Sequence, residues 1–203
     1  MTKISWFFLR LALGAGLFVG VAAVPVRADV SAYLESRHPI SVPAGAKSLC
    51  TTYTWACASV SKSTAFDQSD MRMVGRINSK INRRVRQIED IRQYRKSEVW
   101  ALPTRRGGDC EDIVLLKKRE LLKAGVPANR LLIATALDTR MRGHAVLVMR
   151  SNDGDLILDS LTSRIKSWDK TGYLFLKMQN PDKPTTWDAI LAGGPLLKHA
   201  DKS

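Results

Sequence analysis

The sequence predicts one α+β domain. Two helical patterns occupy its first half, and short apolar runs separated by turn residues follow in the second. The 203 residues leave room for one domain and barely for two. Hydrophobic residues make up 45% and charged residues 25%, which excludes disorder throughout. No repeat or low-complexity tract interrupts the chain.

The first segment reads as a leader. Lys3 and Arg10 precede an uncharged apolar run over residues 11–24, then Pro25, and Val26-Arg27-Ala28 gives a small-x-small site before Asp29. That is the layout of a secretory signal peptide over residues 1–28. The run of about 14 residues falls short of the roughly 20 that span a bilayer, and no later segment approaches a span. The whole chain carries a net charge of +13; without Lys3, Arg10 and Arg27 it carries +10. Export excludes genomic DNA and ribosomes as partners. It leaves anionic lipid, cell-wall polymer or an acidic protein to meet the basic surface. A monomer in the periplasm or outside the cell, without a membrane span once the leader is removed, is the expectation.

Residues 29–48 hold Pro39, Pro43 and Gly45 and read as an irregular arm. The domain is expected over residues 49–192, with a flexible tail over 193–203. Three cysteines follow the leader: Cys50, Cys57 and Cys110. An exported chain can form a disulfide, and three pairings are open. Cys50 with Cys57 is the most local. A continuous helix would hold their Cα atoms about 10 Å apart, so this pairing requires a turn near Thr52. Residues 61–70 read as a loop, with Ser69 or Asp70 as a helix N-cap.

Met71, Val74, Ile77, Ile81, Val85, Ile88 and Ile91 then follow steps of three and four, the stripe of one long helix. Its arginines and lysines lie off the stripe and read as a solvated face. Pro103 and Gly107-Gly108 separate it from a second helix over about Cys110–Lys123, which Gly125 and Pro127 stop. Strands are expected at Leu131–Leu137, 144–149, Asp155–Leu158 and about 173–178, with Ser151-Asn152-Asp153-Gly154 as a hairpin turn.

Cys110 opens the second helix. Free N–H groups and the helix dipole at that end favour a thiolate and can donate to an oxyanion. A thiol nucleophile needs a base and an orienting partner for it. His38 and His199 lie in the arm and tail, whereas His144 enters a strand and Asp159 ends the next one. A four-residue hairpin loop pairs Arg150 with Asp155. Asp159 then falls opposite Val146, on the same face as His144 and diagonal to it. An odd loop would separate the two faces unless a bulge intervened.

With these residues placed, the sequence resembles the bacterial transglutaminase-like cysteine peptidases. Trp100-Ala101-Leu102-Pro103, Gly108-Asp109-Cys110-Glu111-Asp112, Gly143-His144-Ala145-Val146-Leu147 and Ile157-Leu158-Asp159 carry the resemblance. Ile77-Asn78, Ile81-Asn82 and the Cys50 to Cys57 segment support it, and it spans roughly residues 45–178. It implies a papain-like or transglutaminase-like core, with a nucleophile-bearing helix packed on an antiparallel sheet. It also implies a catalytic triad of Cys110, His144 and Asp159. The family includes periplasmic proteases that clip large surface adhesins and release biofilm cells. Those members depend on calcium, which by position implies Asp109 and Glu111, with Asp112, as Ca²⁺ ligands. Acids beside a thiol raise its pKa, and a bound cation would offset that. Helix capping is the alternative role for the same acids. Asn82 and Trp100 are candidate oxyanion partners. The chain departs from the adhesin proteases in its small arm and in Thr104-Arg105-Arg106, which makes the approach to Cys110 basic. The same triad also serves acyl transfer or cell-wall peptide hydrolysis, and a non-catalytic basic envelope-binding module is the alternative outside enzymes.

Overall fold

The computed structural model describes residues 30–59 and 68–195. The expected signal peptide, most of the loop before the long helix, and residues 196–203 lie outside the described residues.

Among the described residues, seven antiparallel strands form one sheet in the order β1-β7-β6-β2-β3-β4-β5. They are β1 (His38–Ile40), β2 (Leu131–Leu137), β3 (Gly143–Arg150), β4 (Asp155–Leu158), β5 (Lys166–Ser167), β6 (Leu174–Gln179) and β7 (Trp187–Gly193). Four of these match the expected runs. The helices are α1 (Leu49–Thr52), α2 (Gln68–Arg84), α3 (Asp90–Gln93) and α4 (Cys110–Lys123).

The central strands read as apolar runs because both faces of the sheet are covered. Leu131, Ile133, Leu147 and Met149 pack with Val114, Leu115 and Leu121 of α4 and Val74 of α2. The alternate positions, Leu132, Ala134, Val146 and Val148, pack with Trp168, Phe175 and Leu34. Cys50 and Cys57 are disulfide-bonded, with α1 and a 3₁₀ turn at Thr54–Cys57 supplying the required reversal.

The β3–β4 hairpin has the expected register: Arg150 pairs with Asp155 and Leu147 with Leu158. Arg150 grips the fully buried Asp155 through two hydrogen bonds, of 3.0 and 2.9 Å. The same carboxylate accepts the Leu34 N–H at 2.9 Å. The arm is thereby tied down. It is not irregular throughout, because β1 pairs with β7 along the sheet edge.

The long helix is shorter than its stripe. It ends at Arg84, and Ser69 and Asp70 lie inside it rather than capping it. Val85, Ile88 and Ile91 fall beyond its end, and Ile91 is 58% exposed. The chain turns there to bridge the segment before α4. Gly108 N–H donates to the Arg86 carbonyl, and Ile88 N–H donates to the Gly108 carbonyl. Gly107 makes this approach possible: at φ +132°, a Cβ there would stand 2.0 Å from the Arg86 carbonyl oxygen.

Candidate active site

Helix α4 and strand β3 bring the chemistry together. Cys110 is the first residue of α4, and His144 is the second of β3. Both line a cleft of about 750 Å³ that also touches Asp90, Glu98, Asp109 and Glu111. Ala145 belongs to the buried cluster against which Cys110 packs, so the thiol's residue sits against β3 itself.

His144 Nε2 and Asp159 Oδ1 are 2.8 Å apart, and both residues are buried. This is the diagonal pair that the hairpin register requires. Asp159 also accepts the Leu161 N–H on Oδ1 at 3.0 Å and the Tyr173 hydroxyl on Oδ2 at 2.6 Å. Burial opposes its charge, but the hydrogen bonds from His144, Leu161 and Tyr173 outweigh it and hold the carboxyl below its ordinary range. Tyr173 stands edge-on to the His144 ring, with centroids 5.6 Å apart.

The loop carrying Asp159 is fixed from behind. Asn82 Nδ2 donates to the Asp159 carbonyl at 2.9 Å and to the Thr162 carbonyl at 3.1 Å. Lys117 Nζ donates to the same Asp159 carbonyl at 2.7 Å from a fully buried position, and burial lowers its pKa to about 7. Asn82 is thus engaged with this loop and does not line the cleft, which removes it as an oxyanion partner. Trp100 does line the cleft, and its Nε1 donates to Glu98 at 3.3 Å. Tyr173 and Lys117 were not legible in the sequence, since nothing local marks a tyrosine before a strand or a lysine within a helix.

The thiol departs from expectation. A helix N-terminus favours the thiolate, yet the Cys110 pKa is raised. Burial is the largest cause, followed by the charge of Glu111, whose carboxylate accepts the thiol proton at 3.0 Å.

The acidic set also differs from expectation. Asp109 and Asp112 converge with Asp90, and one ligand atom from each lies within 4.8 Å of the others. Glu111 faces the sulfur instead. Asp90 lies 19 positions before Asp109, and the bridge between the Arg86–Ile88 segment and Gly108 brings it near. Burial and mutual repulsion raise Asp109 to about 9 and Asp112 to about 7. Asp109 occupies the N-cap position of α4, but its side chain makes no capping hydrogen bond. Asp112 accepts the Ala101 N–H at 2.9 Å, and Asp90 accepts the Val99 N–H. One oxygen of each remains buried without a partner: Asp90 Oδ1, Asp109 Oδ1 and Asp112 Oδ2. Three converging carboxylates, each with one buried oxygen lacking a hydrogen-bond partner, fit a hard cation that takes oxygen ligands.

A thiol heading a helix, packed against a strand that presents a buried histidine–aspartate pair, is the arrangement of a papain-like cysteine hydrolase. The chain belongs to a family of this class, the bacterial transglutaminase-like cysteine proteinases (BTLCP), whose family model matches residues 36–194. It is a transglutaminase-like cysteine peptidase, and its substrate is a protein. Among solved structures, calcium-bound Legionella pneumophila LapG matches with a TM-score of 0.51 and 24% identity, over 65% of this chain and 78% of that one. A second LapG structure and an EGTA-treated one each match at 24% identity, with TM-scores of 0.48, over 65% of this chain and 74% and 76% of theirs. At that identity the first likeness speaks for the fold. A comparison with curated proteins finds no match.

Proposed function

We propose that this chain is an exported cysteine endopeptidase that hydrolyses a periplasmic or cell-surface protein. Cys110 is the nucleophile, His144 the base, and Asp159 the residue that orients the base. The observation that carries this reading is the 2.8 Å His144–Asp159 pair in the structure whose cleft holds Cys110 and His144.

With Nε2 engaged by Asp159, His144 keeps Nδ1 for the Cys110 proton. The sulfur attacks the carbonyl carbon of the scissile bond. N–H groups at the head of α4 stabilise the oxygen that gains charge. The imidazolium then gives its proton to the departing amine, which leaves a thioester on Cys110. Water, deprotonated by His144, attacks that thioester, and the sulfur departs and regains its proton as the carboxylate product forms.

Asp90, Asp109 and Asp112 are the residues proposed to hold Ca²⁺. Positive charge placed there would favour the thiolate that Glu111 and burial disfavour. The LapG structure described as calcium-bound supports the choice of ion. The leader pattern, the disulfide and the resemblance support export, and the resemblance supports a large surface adhesin as substrate and biofilm release as the outcome. No described helix is long and apolar enough to cross a membrane. A monomer is proposed, without a nucleic-acid partner.

The test compares the termini of surface proteins after treatment with wild type or Cys110→Ala. New termini should appear with wild type alone. His144→Ala should nearly abolish them, and Asp159→Asn should weaken them. Identical termini in all four samples would overturn the reading. An exported protein that still begins at Met1 rather than Asp29 would overturn the leader assignment.

A further inference from the structure

Beside the acidic cleft lies a second pocket of about 680 Å³ with the opposite character. Arg86, Arg92, Arg105 and Arg106 line it, and Glu89 and Asp109 belong to the walls of both pockets. Two segments distant in sequence supply the arginines. Arg86 and Arg92 flank the bridge that follows α2. Arg105 and Arg106 form the tip of the turn closed by Thr104 and Gly107, whose backbone groups exchange hydrogen bonds at 2.9 and 3.2 Å. The close packing at Gly107 holds these segments side by side.

The four arginines are exposed. Arg86, Arg105 and Arg106 have no ion-pair partner among the described residues. Arg92 approaches Glu89 at 3.7 Å, with the two side chains 79% and 75% exposed, a pair that water screens. Three cationic forks without an ion pair, set around one concavity, match the two oxygens of a carboxylate.

We propose that this pocket is a substrate subsite that binds an acidic stretch of the polypeptide a few residues from the bond held over Cys110. The choice of a polypeptide rests on the proteolytic reading, because the pocket continues the wall of the catalytic cleft. The two pockets set a charge pattern. Glu98 and Glu111 line only the cleft and disfavour acids at the scissile bond, whereas the four arginines outnumber Glu89 and Asp109 around the second pocket and attract acids there. Selection by charge in this way sharpens specificity more than it raises affinity.

Binding is measured by fluorescence anisotropy on Cys110→Ala protein, with labelled hexaglutamate and its glutamine counterpart as probes. This readout is independent of turnover, so a failure here overturns the subsite and leaves proteolysis standing. Hexaglutamate should bind and the glutamine peptide should not. Adding R105E/R106E should weaken binding about tenfold or more, since charge-assisted contacts are lost and repulsion replaces them. R72E/R76E changes net charge equally on exposed α2 positions away from the pocket and should leave binding within about twofold, given screening over that distance. Equal losses from the two double variants would reduce the effect to net charge and overturn the proposal. Displacement by inorganic phosphate at the concentration that saturates the pocket with peptide would assign it to a small anion and also overturn it.

Discussion

Glu111 Oε2 accepts the thiol proton of Cys110, the preceding residue, at 3.0 Å. The contact sets the residue that heads α4 against its neighbour, because a carboxylate beside sulfur penalises the thiolate. Glu111→Gln removes that charge while burial still opposes ionisation. The pH midpoint of Cys110 alkylation by iodoacetamide should fall by about one unit or more, equivalent to about 1.4 kcal/mol per unit. An unchanged midpoint would show that burial alone holds the thiol protonated.

Metal binding should be linked to protons. Asp109 at about 9 and Asp112 at about 7 stand above the ordinary 3.8. Their folded forms hold protons that the unfolded chain releases near pH 4. The metal-free protein should therefore lose stability as pH rises from about 4 toward 7. Between 7 and 9 Asp109 continues that trend, while Lys117 and Lys118, lowered to about 7, oppose it. Asp109→Asn should flatten the metal-free melting profile relative to wild type. Calorimetric titration should show Ca²⁺ affinity rising with pH and protons released on binding. Asp90→Asn, Asp109→Asn and Asp112→Asn should each weaken Ca²⁺ binding. Chelator should abolish activity, and Ca²⁺ but not Mg²⁺ should restore it, since Mg²⁺ demands a compact octahedron. No heat on adding millimolar Ca²⁺ would remove the metal role.

Asn82 holds the loop that follows β4 through the Asp159 and Thr162 carbonyls. Asn82→Ala should cost about 1–3 kcal/mol in chemical denaturation, because it leaves partly buried carbonyls less satisfied. Looser Asp159 geometry should lower kcat more than it changes KM. A variant with lower stability but an unchanged kcat would make Asn82 purely a scaffold residue.

The Cys50–Cys57 bridge closes a short loop beneath the core. Replacing both residues with serine should lower unfolding free energy by about 2–3 kcal/mol on the loop-entropy account. Cys110 alkylation in the folded state should keep its rate, because Cys110 is the free thiol and the bridge lies outside its cleft wall. A slower rate at matched folded fraction would reveal a coupling between the bridge and the thiol.

Sequence by itself determined those features whose cause is local or periodic. Helix α4 has its bounds in Gly108, Cys110 and Gly125. The β3–β4 hairpin has its register in one turn of even length, and that register places His144 and Asp159 together. Tertiary structure decided where a local pattern yields to a distant partner. The α2 stripe continues through Ile91, but bridging to Gly108 ends the helix at Arg84. Strand β7 hid because Asp188 interrupts its apolar run, and β1 because two polar-flanked arm residues around a proline become strand only by pairing with it. The same bridge carries Asp90 to Asp109 and draws Arg86 and Arg92 to Arg105 and Arg106. Such clusters have no fixed spacing in the chain, since contacts across space define them. The Cys110 pKa follows the same rule: helix position favours the thiolate, and the burial and carboxylate contact present only in the folded chain reverse it.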